Sequence, residues 1–447
     1  MKSRQADVVS CPCLPLLAHG SSVVIVAAMA CDDLPVSPAT PPPSPARTLS
    51  CWYNDSGVPF FHDSGFVRAL ALDPVGRYLC SAHLSGVVCV WSTRDARVLW
   101  RFTAHSGSAT CLLHHAGLLW TGGSDKLLRG WDLTTRQQPV KDLRGHFSGV
   151  KQLYAGCDAH GAHTLWSLGD DRYLRLWRVS DKTQLAFVSS DFAAPAAVVS
   201  SELCCIAQSS SVAVFSAPSC KRLFDLDGHT GVVWTLMLCG RVLFSGADDG
   251  AVREWLLEDT VHELVHTYRG HKRAVTLLSM AGVTLLAASL DGVRAWRNRQ
   301  CAFIITCDAS SGGAPRALVA SCDGDSFVLG SASGTISQYS TTDGGLLNKF
   351  GGMGNAVHVF AVCDDRGLGF ASCYDGDVKG WRVSIPRRWS RDTHVLFEPA
   401  FQAAVRTFLC CIAQPGSPTH MLMQVGGASQ DGLVDMIVGR LAMAWNA

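Results

Sequence analysis

The sequence of 447 residues lacks a long apolar run, an excess of charge of either sign and any Cys-x-x-Cys pair. A membrane-spanning helix needs roughly 20 consecutive apolar residues, and the longest candidate, residues 22–30, is far shorter. The 38 lysines and arginines balance 37 aspartates and glutamates, so no overall field attracts nucleic acid or an anionic membrane. We therefore expect neither a membrane span nor a nucleic-acid partner.

Charged residues are also scarce, at 17% against 48% hydrophobic residues, which is too apolar for a mostly disordered chain. The 19 cysteines are odd in number, and most of them stand in apolar runs, as Cys80, Cys111 and Cys239 do. Free cysteine behaves there as a small buried hydrophobe. The pattern predicts a reducing compartment, cytoplasmic with a nuclear location as the alternative, and no metal site.

Residues 1–50 predict a flexible leader that ends in a proline-rich linker. Six prolines fall between residues 34 and 45, and proline lacks the N–H that a helix or a sheet ladder requires. Lys2, Arg4 and the segment Ala28-Met29-Ala30 resemble a weak secretory signal. Polar residues interrupt its apolar stretch, so we do not expect secretion, and translation starting at Met29 is the alternative.

The remainder, residues 51–447, repeats itself. An aromatic residue ends a short strand at intervals of 38–46 residues. Each unit also contains an apolar strand before a hairpin turn and another strand after the aromatic, without a long stripe of helical period. The aromatic positions are Trp91, Trp131, Trp177, Phe215, Trp255, Trp296, Tyr339 and Trp381.

Four strands per unit, with Gly-His before the unit and Trp near its end, resemble the WD-repeat family. Gly-His pairs stand at Gly145-His146, Gly228-His229 and Gly270-His271. The resemblance covers residues 61–386 and implies an all-β fold, a single β-propeller of four-stranded blades around a channel. We expect about eight blades, with seven or nine as alternatives.

A degenerate unit at 387–447 and a strand donated from residues 57–62 are expected to close the ring, because closure removes exposed sheet edges.

The resemblance also implies a hydrogen-bonded chain of His, Ser or Thr, Asp and Trp within a blade. Three units contain the full set, and recurrence in three units favours a structural role over a Ser-His-Asp catalytic site. Ser85, Ser209 and Ser333 replace the Asp in three other units, which predicts apolar packing alone there, and Ala287 and Ala371 replace the hydroxyl in two more. The full sets are His105–Thr121–Asp125–Trp131, His146–Ser167–Asp171–Trp177 and His229–Ser245–Asp249–Trp255.

His262-Glu263-Leu264-Val265-His266 matches the H-E-x-x-H zinc protease motif. That chemistry requires a helix, in which residues four apart share one face. Here the motif occupies the place of the fourth strand, where residues four apart are separated by roughly 13 Å. We therefore expect no catalytic residue, cofactor or metal.

The start of each inner strand and the residue before each turn Asp are, by resemblance to the family, the positions that line a binding face. Mixed cationic and aromatic residues are typical of interface hot spots. We expect a non-enzymatic scaffold for proteins or peptides within a multi-protein complex. The candidate partner-binding residues are Arg68, Lys151, Asp170, Trp234, Asp248, Arg316, His358 and Tyr374.

Two alternatives remain open. Short turns between first and second strands resemble the propellers of ubiquitin-ligase substrate receptors, which implies a substrate-recognition subunit. A hydrolase or metalloenzyme that uses the propeller channel is the second alternative.

Overall fold

The computed structural model describes residues 23–27 and 66–382 of the chain. Within the second range it leaves out short segments of the connecting loops. The omitted positions are 75, 94–96, 135–138, 159–160, 191–195, 218, 259–261, 308–312, 322–323, 351–352, 364–367, 375 and 377.

Short runs of β-branched, aromatic and other apolar residues form all of the described elements, and these elements are strands. They make eight sheets of four antiparallel strands each. The first four sheets consist of β2 (Val67–Leu72), β3 (Tyr78–His83), β4 (Val87–Ser92) and β5 (Val98–Thr103); β6 (Ala109–His115), β7 (Leu118–Gly123), β8 (Leu127–Trp131) and β9 (Lys141–Arg144); β10 (Val150–Cys157), β11 (His163–Gly169), β12 (Tyr173–Arg178) and β13 (Gln184–Ser189); and β14 (Ala197–Val199), β15 (Leu203–Ala207), β16 (Ser211–Ser216) and β17 (Arg222–Asp227).

The other four sheets continue the series in chain order. They consist of β18 (Val233–Cys239), β19 (Val242–Ala247), β20 (Val252–Leu257) and β21 (His262–Tyr268); β22 (Val275–Ala281), β23 (Thr284–Ser289), β24 (Gly292–Arg297) and β25 (Gln300–Thr306); β26 (Pro315–Ala320), β27 (Ser326–Ser331), β28 (Ile336–Ser340) and β29 (Leu346–Phe350); and β30 (Val357–Cys363), β31 (Leu368–Cys373) and β32 (Val378–Arg382) with β1 (Val23–Ala27).

The first strands of successive sheets contact one another around a ring, and β30 contacts β2, which closes the ring. The sheets are therefore the blades of an eight-bladed β-propeller with the first strands innermost. This confirms the all-β propeller and the count of eight. Each predicted aromatic residue lies in the third strand of its blade.

The eighth blade differs from the others in the place of its fourth strand. In the other seven blades the fourth strand pairs with the third. In the eighth blade β1 pairs antiparallel with the innermost strand β30, from Val23 opposite Cys363 to Ala27 opposite Val359. The β-branched run Val-Val-Ile-Val suits a strand, although it lies in the predicted leader. The rest of that leader, the donated strand at 57–62 and the unit at 387–447 lie outside the described residues.

The core lies between adjacent blades rather than within one of them. Leu203 and Val212 of the fourth blade pack with Val233, Leu243 and Trp255 of the fifth. Cys204 and Cys205 illustrate the alternation of a strand, because their side chains join the clusters on opposite sides of the fourth blade. Every blade thus depends on both neighbours for burial.

Antiparallel pairing gives the propeller two different faces. The start of β18 pairs with the end of β19, since Val233 lies opposite Ala247. The loops entering the first strands and the turns between second and third strands therefore share one face, here called the upper face. The turns between first and second strands lie on the opposite, lower face.

Candidate functional site

A chain of four side chains joins the upper-face loop of the fifth blade to its third strand. His229 Nδ1 lies 3.0 Å from Asp249 Oδ2, and His229 Nε2 lies 2.8 Å from the Ser245 hydroxyl oxygen. Trp255 donates its indole N–H to the same oxygen at 2.9 Å. With the Nδ1 proton directed at the carboxylate, Nε2 accepts from the Ser245 hydroxyl.

The second and third blades contain the same chain of contacts. In the second blade His105 lies 2.8 Å from Asp125 Oδ1 and 2.9 Å from Thr121 Oγ1, to which Trp131 donates at 3.0 Å. In the third blade the corresponding distances are 2.9 Å for His146–Asp171, 2.7 Å for His146–Ser167 and 2.8 Å for Trp177–Ser167.

The electrostatics of this chain keep the imidazole neutral and the carboxylate charged. Burial lowers the pKa of His229, against the raising effect of its hydrogen bond to Asp249. Burial acts to raise the pKa of Asp249, but hydrogen bonds from Arg253, the Thr230 N–H and His229 together lower it to about 2.

The Ser245 oxygen is not available as a nucleophile in this arrangement. Ser245 is fully buried, and its oxygen already accepts a hydrogen bond from Trp255. The arrangement fastens a loop to a blade.

An arginine extends each of these three chains, and the sequence analysis missed it. Arg253 Nη1 lies 2.8 Å from Asp249 Oδ2, Arg129 Nη1 lies 2.9 Å from Asp125, and Arg175 Nη2 lies 3.4 Å from Asp171. The signal was present, because an arginine stands two residues before the tryptophan in each of these units.

The glycine of the Gly-His pair leaves room for these side chains. A Cβ on Gly145 would lie 2.9 Å from Trp177 Cη2, which is too close, whereas a Cβ on Gly228 would be in ordinary contact with Trp255 Cη2 at 3.4 Å. In the third blade the pair thus combines close packing at Gly145 with hydrogen bonding at His146.

The first blade does not rely on apolar packing alone, contrary to expectation. Trp91 donates to the Ser81 hydroxyl at 2.9 Å, and Ser81 Oγ lies 2.9 Å from His83 Nε2. Position 83 corresponds to Gly123 of the second blade, where a Cβ would lie 2.3 Å from His105 Nδ1. The imidazole therefore comes from the blade's own strand instead of from the preceding loop.

The seventh blade also departs from that expectation. Ser331 Oγ lies 2.9 Å from Ser333 Oγ and 2.6 Å from Thr335 Oγ1 in its upper-face turn. Hydroxyl groups replace the missing carboxylate in holding the turn.

Seven inner strands begin with a β-bulge at the position predicted to contact a partner. In the fifth blade the register shifts between Val233 and Thr235, so that Trp234 is the extra residue. A bulge leaves its extra residue out of the ladder and changes the direction of its side chain. The bulged residues are Arg68, Thr110, Lys151, Trp234, Thr276, Arg316 and His358. Together they are called the inner ring.

Neighbouring turn residues pair with two members of the inner ring. Lys151 Nζ lies 2.7 Å from Asp170 Oδ1, and Trp234 donates its indole N–H to Asp248 Oδ1 at 2.5 Å. Four predicted residues thus form two separate pairs, one within the third blade and one within the fifth.

A third group joins the eighth blade to the first. The rings of Phe66, His358 and Tyr374 lie with centroids 4.9–5.1 Å apart, and the Arg68 guanidinium lies 5.1 Å from the Phe66 ring. Phe66 was not predicted. Arg316 is the remaining predicted residue, and it is half-buried at the start of β26.

The H-E-x-x-H segment is the strand β21, as the sequence analysis predicted. The His262 ring stacks on Phe224 at 4.1 Å, whereas the His266 ring contacts Tyr268 at 4.6 Å. The two imidazoles therefore have different neighbours. Within the described part of the chain, no group of three His, Cys, Asp or Glu side chains is arranged to hold a metal ion.

The eight four-stranded sheets form a β-propeller, and its repeated hydrogen-bonded chains resemble those of WD repeats. The family model "WD domain, G-beta repeat" matches residues 58–92 and 220–255, which confirms the resemblance. Among the described residues, no helix is long and apolar enough to cross a membrane.

Known proteins are similar to this chain over half of its length or more. "Mitochondrial division protein 1" of Vanderwaltozyma polyspora is 25% identical over 230 residues, which are 51% of this chain and 31% of that protein. The chain thus matches about a third of that relative's length. The computationally designed Ika8 protein aligns with a TM-score of 0.61 and 22% identity, over 71% of this chain and 96% of that one. The structure of U3-55K aligns with a TM-score of 0.48 and 21% identity, over 61% and 90%.

Proposed function

We propose that the protein is a non-enzymatic scaffold and that the inner ring of its upper face binds a protein or peptide partner. The observation that carries this proposal is the recurrence of the bulge at seven inner strands. A bulge interrupts the hydrogen bonds of the ladder and changes the direction of one side chain at a defined position.

The chemistry of the inner ring supports a polypeptide ligand. Arg68 and Lys151 supply charge, while Trp234 in the fifth blade, and Tyr374 beside His358 in the eighth, supply large rigid surfaces. Contacts within the protein hold several of these groups before any partner arrives, as Asp248 holds the Trp234 indole. Such preorganisation lowers the entropy cost of association.

The substrate-receptor role in a ubiquitin ligase would use the same face, and it rests only on the likeness of the short turns. The hydrolase or metalloenzyme alternative has the weaker support, because the three His-Asp pairs described above are committed to loop fastening. We do not propose a role in mitochondrial division for this chain, since the match covers only 31% of that relative.

The test is affinity purification with quantitative mass spectrometry of associated proteins. Trp234→Ala should preserve the fold, as judged by circular dichroism, and reduce the recovery of at least one associated protein. Val283→Ser is the matched control, because Val283 is 69% exposed in a turn of the lower face. Equal recovery with all three proteins would remove the inner ring as the binding surface.

A further inference from the structure

A cavity of about 160 Å³ lies on the upper, outer part of the sixth blade. It is formed where the loop into β22, the turn before β24 and the end of β25 meet. Its lining includes His271, Lys272, Asp291, Arg294, Ile304 and Thr306.

Arg294 stands two residues before Trp296, where the second, third and fifth blades have an arginine paired with the turn Asp. Asp291 stands five residues before Trp296 rather than six, so the turn is one residue shorter. Asp291 Oδ1 lies 2.6 Å from His271 Nδ1, and Oδ2 accepts from the Lys272 N–H at 2.8 Å. Within the part of the chain that the structure describes, the Arg294 guanidinium forms no ion pair, unlike Arg253 at 2.8 Å from Asp249.

The Arg294 guanidinium lies close to the backbone of the loop that enters β22. It lies against Gly270, where an added Cβ would be 2.8 Å from Nη1 and 3.0 Å from Cζ. Because Gly270, with φ +140°, has no Cβ, the guanidinium can occupy the space beside the cavity. A planar guanidinium without a carboxylate partner is suited to bidentate binding of an oxyanion.

The loop that lines the cavity carries further positive charge. Lys272 lines it, and Arg269 and Arg273 are exposed in the same loop. Asp291 is the one acidic group in the lining, and its two oxygens already accept from His271 and the Lys272 N–H. Burial lowers the pKa of His271, against the raising effect of Asp291, so the imidazole is neutral near pH 7. The charges of Lys272 and Arg294 therefore exceed that of Asp291.

We propose that this cavity binds the phosphate group of a phosphorylated side chain in a partner protein. Arg294 provides the planar fork for two phosphate oxygens, and Lys272 provides a mobile point charge at the entrance. The cavity lies outside the inner ring, and its lining contains no inner-ring residue. The two proposed sites have in common only that each binds a protein partner.

The surroundings favour an extended peptide over a membrane surface. Strand β25 is the outermost strand of its sheet, so its free edge offers backbone groups to an added strand. Ile304 is 48% exposed on that strand and lines the cavity, where it provides an apolar contact for a neighbouring residue of the peptide.

The experiment uses the full chain and a peptide array centred on phosphoserine or phosphothreonine, with unphosphorylated and glutamate copies of each peptide. Phosphatidylcholine vesicles with and without a phosphoinositide form a separate arm. Wild type should bind a subset of the phosphorylated peptides, and Arg294→Gln and Lys272→Gln should each weaken that binding roughly tenfold or more. Lys126→Gln makes the same charge change in an upper-face turn of the second blade and should leave binding unchanged.

Three results would overturn the proposal. They are equal binding of phosphorylated and unphosphorylated copies, undiminished binding by both cavity variants, and binding to phosphoinositide vesicles but to no peptide. Trp234→Ala in the same assay should retain phosphopeptide binding, which separates this site from the inner ring. Lys272 is exposed, so its variant keeps the test valid if Arg294→Gln fails to fold.

Discussion

The Trp255 indole N–H lies 2.9 Å from the Ser245 hydroxyl oxygen, deep in the fifth blade. The same oxygen lies 2.8 Å from His229 Nε2. One hydroxyl therefore connects the third strand to the loop that enters the blade. Comparable hydroxyls at Thr121 and Ser167 do the same in two other blades.

Ser245→Ala should destabilise the protein by about 1–3 kcal/mol, because it leaves the buried Trp255 N–H and His229 Nε2 without a partner. Urea denaturation followed by tryptophan fluorescence measures the change. Ser209→Ala, at an exposed turn residue of the fourth blade, is the control and should change the free energy of unfolding by less than about 0.5 kcal/mol. Equal effects of the two variants would contradict the structural role of the hydroxyl.

Ala287→Ser should stabilise the sixth blade by about 1 kcal/mol. His271 Nε2 is buried there without a hydrogen-bond partner, and Ala287 occupies the place of the missing hydroxyl. Ala288→Ser is the matched control, because Ala288 lies in the cluster on the other face of the strand. It buries a hydroxyl among apolar groups and should destabilise by about 1–3 kcal/mol. The same denaturation assay compares them, and stabilisation by Ala288→Ser would count against the proposed geometry.

Stability should fall as the pH is lowered from 7 to 5. Burial lowers the pKa of His105, His146, His229 and His271 below their ordinary value of 6.5, despite the opposing effect of the adjacent carboxylates. The unfolded chain then binds more protons than the folded protein below about pH 6.5, so protonation favours unfolding. Chemical denaturation across this range measures the slope.

His229→Gln should reduce that slope, since it removes one of the four groups. A midpoint that stays constant, or rises, between pH 7 and pH 5 would contradict the account. Below pH 4 the lowered pKa of Asp249 adds a second loss, because its stabilising charge disappears as the pH approaches about 2.

Arg299→Ala should destabilise the contact between the fifth and sixth blades by roughly 1–3 kcal/mol. Arg299 Nη2 lies 2.8 Å from Glu254 Oε1, and the Glu254 side chain is only 10% exposed while Arg299 is 52% exposed. Removing the arginine leaves a mostly buried carboxylate with the Tyr268 hydroxyl at 2.6 Å as its remaining hydrogen-bond donor.

The control is Arg241→Ala, which removes a second ion pair between blades. Arg241 and Glu202 lie 2.7 Å apart but are 41% and 63% exposed, so water replaces the contact and the cost should be about 0–1 kcal/mol. Thermal unfolding ranks the two variants. A larger loss from Arg241→Ala would show that burial does not govern these pairs.

The repeat was predictable because its period and its third-strand aromatics are properties of the sequence alone. The H-E-x-x-H motif at 262–266 was predicted to lie in the fourth strand of its unit, and β21 spans His262–Tyr268. Spacing also identified the positions now seen at the bulges, such as Trp234.

Which side chain occupies a given space in the fold could not be predicted, because the spacing of residues along the sequence does not show it. His83 replaces a loop histidine because both imidazoles occupy the same space beside the hydroxyl. The unpaired Arg294 follows from a one-residue deletion that the sequence showed, but its consequence appears only when Asp291 is seen engaged elsewhere. The pairing of Val23–Ala27 with β30 spans too great a separation for any local pattern to indicate it.

The most direct test of the scaffold account is site-specific photo-crosslinking in cells. A photo-reactive p-benzoylphenylalanine is placed at position 234 on the upper face or at position 283 on the lower face, and crosslinked partners are identified by mass spectrometry. The account predicts a discrete protein crosslinked from position 234 and absent from position 283. Crosslinks of equal identity and yield from both positions, or from position 283 alone, would contradict it.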